Sequence, residues 1–178
     1  MFPMLKQKQR WLHLEDGRCG DCYRTCIAGY LGMVRDSVPH FVELHGGEDW
    51  NDSEAVSRAI EVWMKERGLV MISIPVNGEV PFDALANDVA RHWLPGVDRL
   101  IIGGTSPRGY PHVILWDKND GYWDPAKNYR GEGDMLVGPQ DDGNWWIVAI
   151  LPSWSRVEPA GGWGERGDPG ISGEGVFR

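Results

Sequence analysis

No stretch of the 178 residues approaches the roughly 18 consecutive apolar residues that a membrane-crossing helix needs. The N-terminus, Met1 to Trp11, holds three basic residues but no apolar core of signal-peptide length. Clustered Lys and Arg are missing as well. The formal net charge is −8, and no segment concentrates the positive charge that neutralises phosphates. These absences argue against nucleic acid and membrane as partners and predict a cytoplasmic protein. Cysteine is scarce: three residues, at 19, 22 and 26, form one cluster with an odd count, which argues against a secreted disulfide framework and for free thiols. There is no internal repeat, and no feature of the chain points to an oligomeric state.

What is present suffices for one ordinary core. With 42% hydrophobic residues in this length, a single domain over 1–155 is expected, followed by a Gly-rich, flexible C-terminal tail over 156–178. From Pro159 onward seven glycines fall within twenty residues and apolar periodicity vanishes. The ten tryptophans can fill a core, line a cleft or meet a partner, and composition does not divide them.

Apolar residues Tyr23, Cys26, Ile27, Tyr30, Leu31 and Val34 recur at spacings of three and four, so a first helix is expected from Cys22 to Val34. Asn51-Asp52-Ser53-Glu54 is a capping-box signal for a second helix, with Ala55, Ala59, Ile60, Trp63 and Met64 on one face and Gly68 at its end. Leu69 to Ile74 reads as a short strand closed by Pro75. Pro81 then opens a third helix with apolar positions Phe82, Leu85, Val89, Trp93 and Leu94. Four strand-like runs follow: Arg99 to Gly103, His112 to Trp116, Gly121 to Trp123, and Trp145 to Leu151. Helices first and a meandering antiparallel sheet second predict an α+β fold.

The chemistry centres on Cys22. It stands where a loop gives way to a helix, beside unpaired backbone N–H groups and the positive end of the helix dipole, a setting that favours a thiolate. A thiol nucleophile needs a base, and the base needs a third group to orient it. His112 opens an apolar strand on which His112, Ile114 and Trp116 are expected to share one face. Asp124 ends the next short strand after a tight turn at Lys118-Asn119-Asp120-Gly121, so the hairpin can bring it beside His112. Ordinary roles compete with these: a polar strand end for His112, and a turn starter before Pro125 for Asp124.

The pattern GDCYRTCIAGYLGM, then VPHF, GGTSPRGYPHVILW and GYWDP, resembles the small bacterial and phage papain-like cysteine peptidases over about residues 17 to 126. The resemblance implies a papain-like α+β fold with N-terminal helices packed on an antiparallel sheet, and a polypeptide or amide substrate. It also implies Cys22 as nucleophile, His112 as base and Asp124 as orienting acid, with no cofactor and no metal. Two departures from the family pattern stand out. Asp16 occupies the substrate-side position where many papain-like enzymes carry an oxyanion-donating Gln, and an ionised carboxylate cannot donate. After Asp124 the chain reads Pro125-Ala126-Lys127-Asn128, where similar proteins continue with a His-Pro-Ser type of sequence. The Ser106-Pro107-Arg108-Gly109 segment, close before His112, can offer Arg108 to an anionic group of a substrate or simply form a turn with a solvated arginine.

Other classes fit parts of the same sequence. A papain-like scaffold with weak turnover is a binding or inhibitory module, a reading that Asp16 and the tryptophans motivate. Cys19-Gly20-Asp21-Cys22 is a CxxC pair, which suits a redox dithiol. Cys19, Cys22 and Cys26 with His13 or His40 have the composition of a zinc site, although no second CxxC pair exists. Cys26, one helical turn beyond Cys22, equally fits a small buried packing residue.

Overall fold

A computed structural model describes residues 4–11, 19–47, 52–126 and 135–153. The helices are α1 (Cys22–Leu31), α2 (Phe41–His45), α3 (Ser53–Lys65), α4 (Phe82–Ala84) and α5 (Ala90–Trp93), with a 3-10 turn at Arg35–Ser37 and a π-helical turn, Leu85–Val89, joining the last two. Strands β1 (Leu69–Asn77), β2 (Arg99–Thr105), β3 (Pro111–Asp117), β4 (Gly121–Trp123) and β5 (Asn144–Pro152) form one open sheet in the order β1-β5-β2-β3-β4. Every pairing is antiparallel. The fold is α+β, as the element order predicts, but the sheet is no meander: β5 inserts between β1 and β2.

Period-two alternation divides the sheet's side chains between two cores. Ile101, Leu115, Val148 and Ile150 face Cys26, Ile27 and Tyr30 of α1, Phe41 of α2, and Ile60, Trp63 and Met64 of α3. Their neighbours Leu100, Ile102, Ile114, Trp116, Ile147 and Ala149 face Leu85, Ala86 and Leu94 on the opposite side. Helical structure therefore covers both faces, and not one alone.

Several local outcomes have clear causes. The first helix stops at Leu31, short of the expected Val34, because Gly32 takes the left-handed conformation (φ 68°) that closes a helix C-terminus. Val34 consequently lies exposed. Asp52 caps α3 by accepting the Ala55 N–H at 2.9 Å. The Val38-Pro39-His40-Phe41 stretch, which reads as a turn, leads into α2, whose start the His40 ring caps by accepting the Glu43 N–H. Strand β1 runs through Pro75 to Asn77, since an edge strand tolerates proline where its missing donor has no partner to lose. Trp93, expected on an apolar face, is 58% exposed at the end of α5.

The end of α1 is bound to the sheet by buried polar groups. Arg99 Nε donates to Asp117 Oδ2 at 2.7 Å, and its Nη1 donates to the Tyr30 carbonyl at 2.9 Å. The Tyr30 hydroxyl both donates to and accepts from the Ile150 backbone. Burial works against ionised Asp117, but Arg99 and the Asn119 and Asp120 N–H groups hold its carboxyl below the usual range. α1 can lie this close because residue 29 is glycine: a Cβ there would stand 2.6 Å from Leu115 Cδ1 and 2.8 Å from the Leu5 carbonyl oxygen.

Residues 4–11 have no regular structure, yet they form a strap between α1 and β4. Leu5 N–H donates to Gly29 O (3.1 Å), the Trp123 indole donates to Gln7 O (3.3 Å), and Gln9 N–H donates to Pro125 O (3.1 Å). Gln7 also accepts the Arg35 N–H and donates to Met33 O beyond the end of α1.

Candidate active site

Three separate segments meet at one end of β3. Cys22 is the first residue of α1 and is half-buried. Asp21 sits at the N-cap position, but its side chain makes no capping bond to the helix. The first-turn N–H groups thus have no side-chain acceptor from the cap, so the Asp21 carboxylate does not occupy the positive end of the helix beside Cys22.

His112 lies one residue inside the start of β3 and is only 3% exposed. Its Nε2 is 2.8 Å from Asp124 Oδ1. In the β3–β4 ladder Leu115 pairs with Trp123, so Asp124, one residue beyond the strand, falls diagonal to His112 and not directly opposite it. Asp124 is itself 7% exposed, and its Oδ1 also accepts the Ala126 N–H at 2.7 Å. The turn that Asp124 starts aims its carboxylate at the imidazole.

Cys22 is the second group that acts on the ring. Burial disfavours a charged His112, but the Asp124 hydrogen bond, the nearby Cys22 and the negative charges of both outweigh that cost and raise the ring from 6.5 to about 9. With Nε2 committed to Asp124, Nδ1 is the atom left to exchange a proton with sulfur. A thiol, an imidazole and a carboxylate in this sequence of contacts can pass one proton between sulfur and a reacting group while the ring keeps its orientation.

No protein-family model, curated protein or solved structure matches the chain. The chemistry of the site rests on its own residues.

The other cysteines differ from Cys22. Cys19 is buried, and burial together with the charges of Cys22, Glu43 and Asp21 pushes its thiol up to about 12. Cys26 is fully buried and is raised well above 9 by that burial and by Cys22 and Asp124. Each donates to a backbone carbonyl, Cys19 to Gly20 O (3.6 Å) and Cys26 to Val113 O (3.5 Å). Among the described residues no group of three or more His, Cys, Asp or Glu is arranged to hold a metal. His40 uses Nδ1 to cap α2, and His13 lies outside the described residues.

Arg108 is exposed at the tip of the β2–β3 turn, with no hydrogen-bond or ion-pair partner among the described residues. The turn beneath it is tight: Ser106 Oγ donates to Tyr110 O at 3.0 Å and Gly109 N–H to Ser106 O at 2.9 Å. Asp16 and the 156–178 tail lie outside the described residues. The sequence reading passed over the strap and Asp21. The only signal for the latter was its place immediately before the cysteine at a helix start.

Among the described residues no helix is long and apolar enough to cross a membrane.

Proposed function

We propose that the protein is a cysteine-dependent hydrolase of amide bonds with a papain-like arrangement, acting on a polypeptide or related amide substrate. The observation that carries this reading is the buried His112 ring, held by Asp124 at 2.8 Å and raised in part by Cys22 at the start of α1.

In this scheme Cys22 sulfur attacks the substrate carbonyl carbon, and the carbonyl electrons move to oxygen. The oxyanion is received near the N-terminus of α1, where the N-cap side chain makes no bond to the first-turn N–H groups. Collapse of the tetrahedral adduct breaks the C–N bond, and the imidazolium of His112 gives its proton to the departing amine. Water then attacks the thioester carbonyl while His112 takes its proton. Release of sulfur yields the carboxylic acid and restores the starting pair. Asp124 keeps Nε2 occupied throughout and stabilises the charged ring. Arg108, exposed and without an ion-pair partner among the described residues, lies in the turn that leads to His112 and is positioned in sequence to meet an anionic group of the substrate.

Thiol labelling tests the scheme without a known substrate. Limiting iodoacetamide, followed by mass mapping across pH, should modify Cys22 below pH about 7 while the buried Cys19 and Cys26 stay unlabelled. His112→Ala should remove the low-pH reactivity. Equal, slow labelling of all three cysteines, or a His112→Ala variant with unchanged low-pH labelling, would refute the reading.

A further inference from the structure

Asp21 is a fully buried carboxylate bordering the site, with 0% exposure, and neither the cap of α1 nor the proposed reaction uses it. Its Oδ1 accepts two backbone N–H groups of the strap, from Arg10 at 2.8 Å and Trp11 at 3.0 Å. Its own N–H returns a bond to Trp11 O at 3.3 Å, and its carbonyl accepts both the N–H and the hydroxyl of Thr25 in the first turn of α1. Arg35 stands 3.6 Å from Oδ2 and also donates to Lys8 O at 2.9 Å, closing the same stretch of strap from the other side. Two residues earlier, the strap's Gln9 N–H donates to Pro125 O, the residue after Asp124.

These bonds form a continuous path. It runs from Cys22 to Asp21, through residues 9–11 of the strap, to Pro125 and Asp124, and thence to His112. Cys22 and Asp124 come from elements far apart in sequence, and the strap is the short link across the site between them. We propose that Asp21 is a positioning residue: by clamping the strap it sets the helix start that carries Cys22 against the turn that carries Asp124 and so against His112. The role rests on the cysteine-hydrolase reading and acts through hydrogen-bond acceptance, since two N–H donors converge on one carboxylate oxygen.

Asparagine can accept at Oδ1 as aspartate does, whereas alanine cannot, so the two substitutions separate acceptance from mere side-chain removal. The experiment measures iodoacetamide labelling of Cys22 across pH and the NMR titration of the His112 ring. The proteins are wild type, His112→Ala, Asp21→Asn and Asp21→Ala, each checked for cooperative unfolding. Asp21→Ala should label Cys22 about 10- to 100-fold more slowly near pH 6, the scale expected when reacting groups lose alignment by about 1 Å. Its His112 midpoint should fall from about 9. Asp21→Asn should restore most of the rate. Gln9→Pro, which deletes the N–H that reaches Pro125 at the other end of the path, should reproduce the loss and serves if Asp21→Ala does not fold.

A folded Asp21→Ala or Gln9→Pro protein with wild-type labelling and titration overturns the positioning role, as does an Asp21→Asn protein as impaired as Asp21→Ala. If wild type lacks His112-dependent labelling at low pH, the hydrolase reading fails and the positioning role fails with it. If that labelling is present and only the strap variants are silent, the positioning role alone is lost.

Discussion

Asp124→Asn isolates charge from shape at the centre of the site. The amide keeps the size of the side chain and can still accept the Ala126 N–H that fixes its turn, but it no longer offers His112 a negative partner. In the wild type the ring is raised from 6.5 to about 9 against the opposing effect of burial, with the Asp124 hydrogen bond the first contribution in favour. Removing an opposite charge at hydrogen-bond distance lowers a midpoint by about 1–3 pH units. The titration of His112 by NMR should therefore move down by that amount.

The sign for stability follows from linkage. A folded midpoint above the unfolded value means that the protonated ring stabilises the fold fully below pH about 6.5, and that this contribution is lost as the pH rises through about 9. The gap of about 2.5 pH units corresponds to about 3 kcal/mol at most, at 1.36 kcal/mol per unit. Urea unfolding of wild type should thus show a decline between pH 6.5 and 9.5 that Asp124→Asn largely lacks. An Asp124→Asn protein whose ring still titrates near pH 9, or whose stability falls over that interval as the wild type's does, would refute the assignment of His112's charge to Asp124.

Two further predictions concern the scaffold behind the site. Replacing only Arg99 by Met, or only Asp117 by Leu, strands a buried charge and should cost about 3–5 kcal/mol in urea unfolding, while the double variant should lie much closer to wild type; singles and double that are equally unstable would contradict this. Gly29→Ala places a methyl against Leu115 and the Leu5 carbonyl of the strap, and overpacking of that kind costs about 1–3 kcal/mol. Because Leu5 is backbone and cannot rotate away, this variant should also slow Cys22 labelling near pH 6, and an unchanged rate would show that the strap can shift without disturbing the site.

The legible parts of the fold were those with local causes. The three-and-four spacing of Cys26, Ile27 and Tyr30 marked the buried side of α1, and the Asn51-Asp52-Ser53-Glu54 signal marked the start of α3, where Asp52 is the cap. The β3–β4 hairpin followed from its four-residue turn, and with it the meeting of His112 and Asp124. What escaped had distant causes. The pairing of β1 with β5 joins Leu69 to Pro152 across an interval that leaves no local pattern. α2 is five residues long, too short to show a period, and depends on the His40 cap and on the edge contact between Phe41 and Trp63. The strap has neither period nor turn chemistry: its order comes from bonds to α1, β4 and Asp21, which exist only once those elements are assembled.

That dependence bears on how the site works. Each catalytic candidate sits at the end of an element, Cys22 at the start of α1, His112 near the start of β3 and Asp124 just past β4, where backbone is least constrained by its own helix or ladder. Element ends leave side chains free to converge, but they also fray. Here the far end of α1 is fastened by Arg99, Asp117 and the Tyr30 hydroxyl, and the near end by Asp21 and the strap. The buried ionised groups that look costly for stability stand at those two fastenings. Their placement holds α1 in register with β3, which is what the proposed reaction requires, because a thiol and an imidazole exchange a proton only at hydrogen-bond distance.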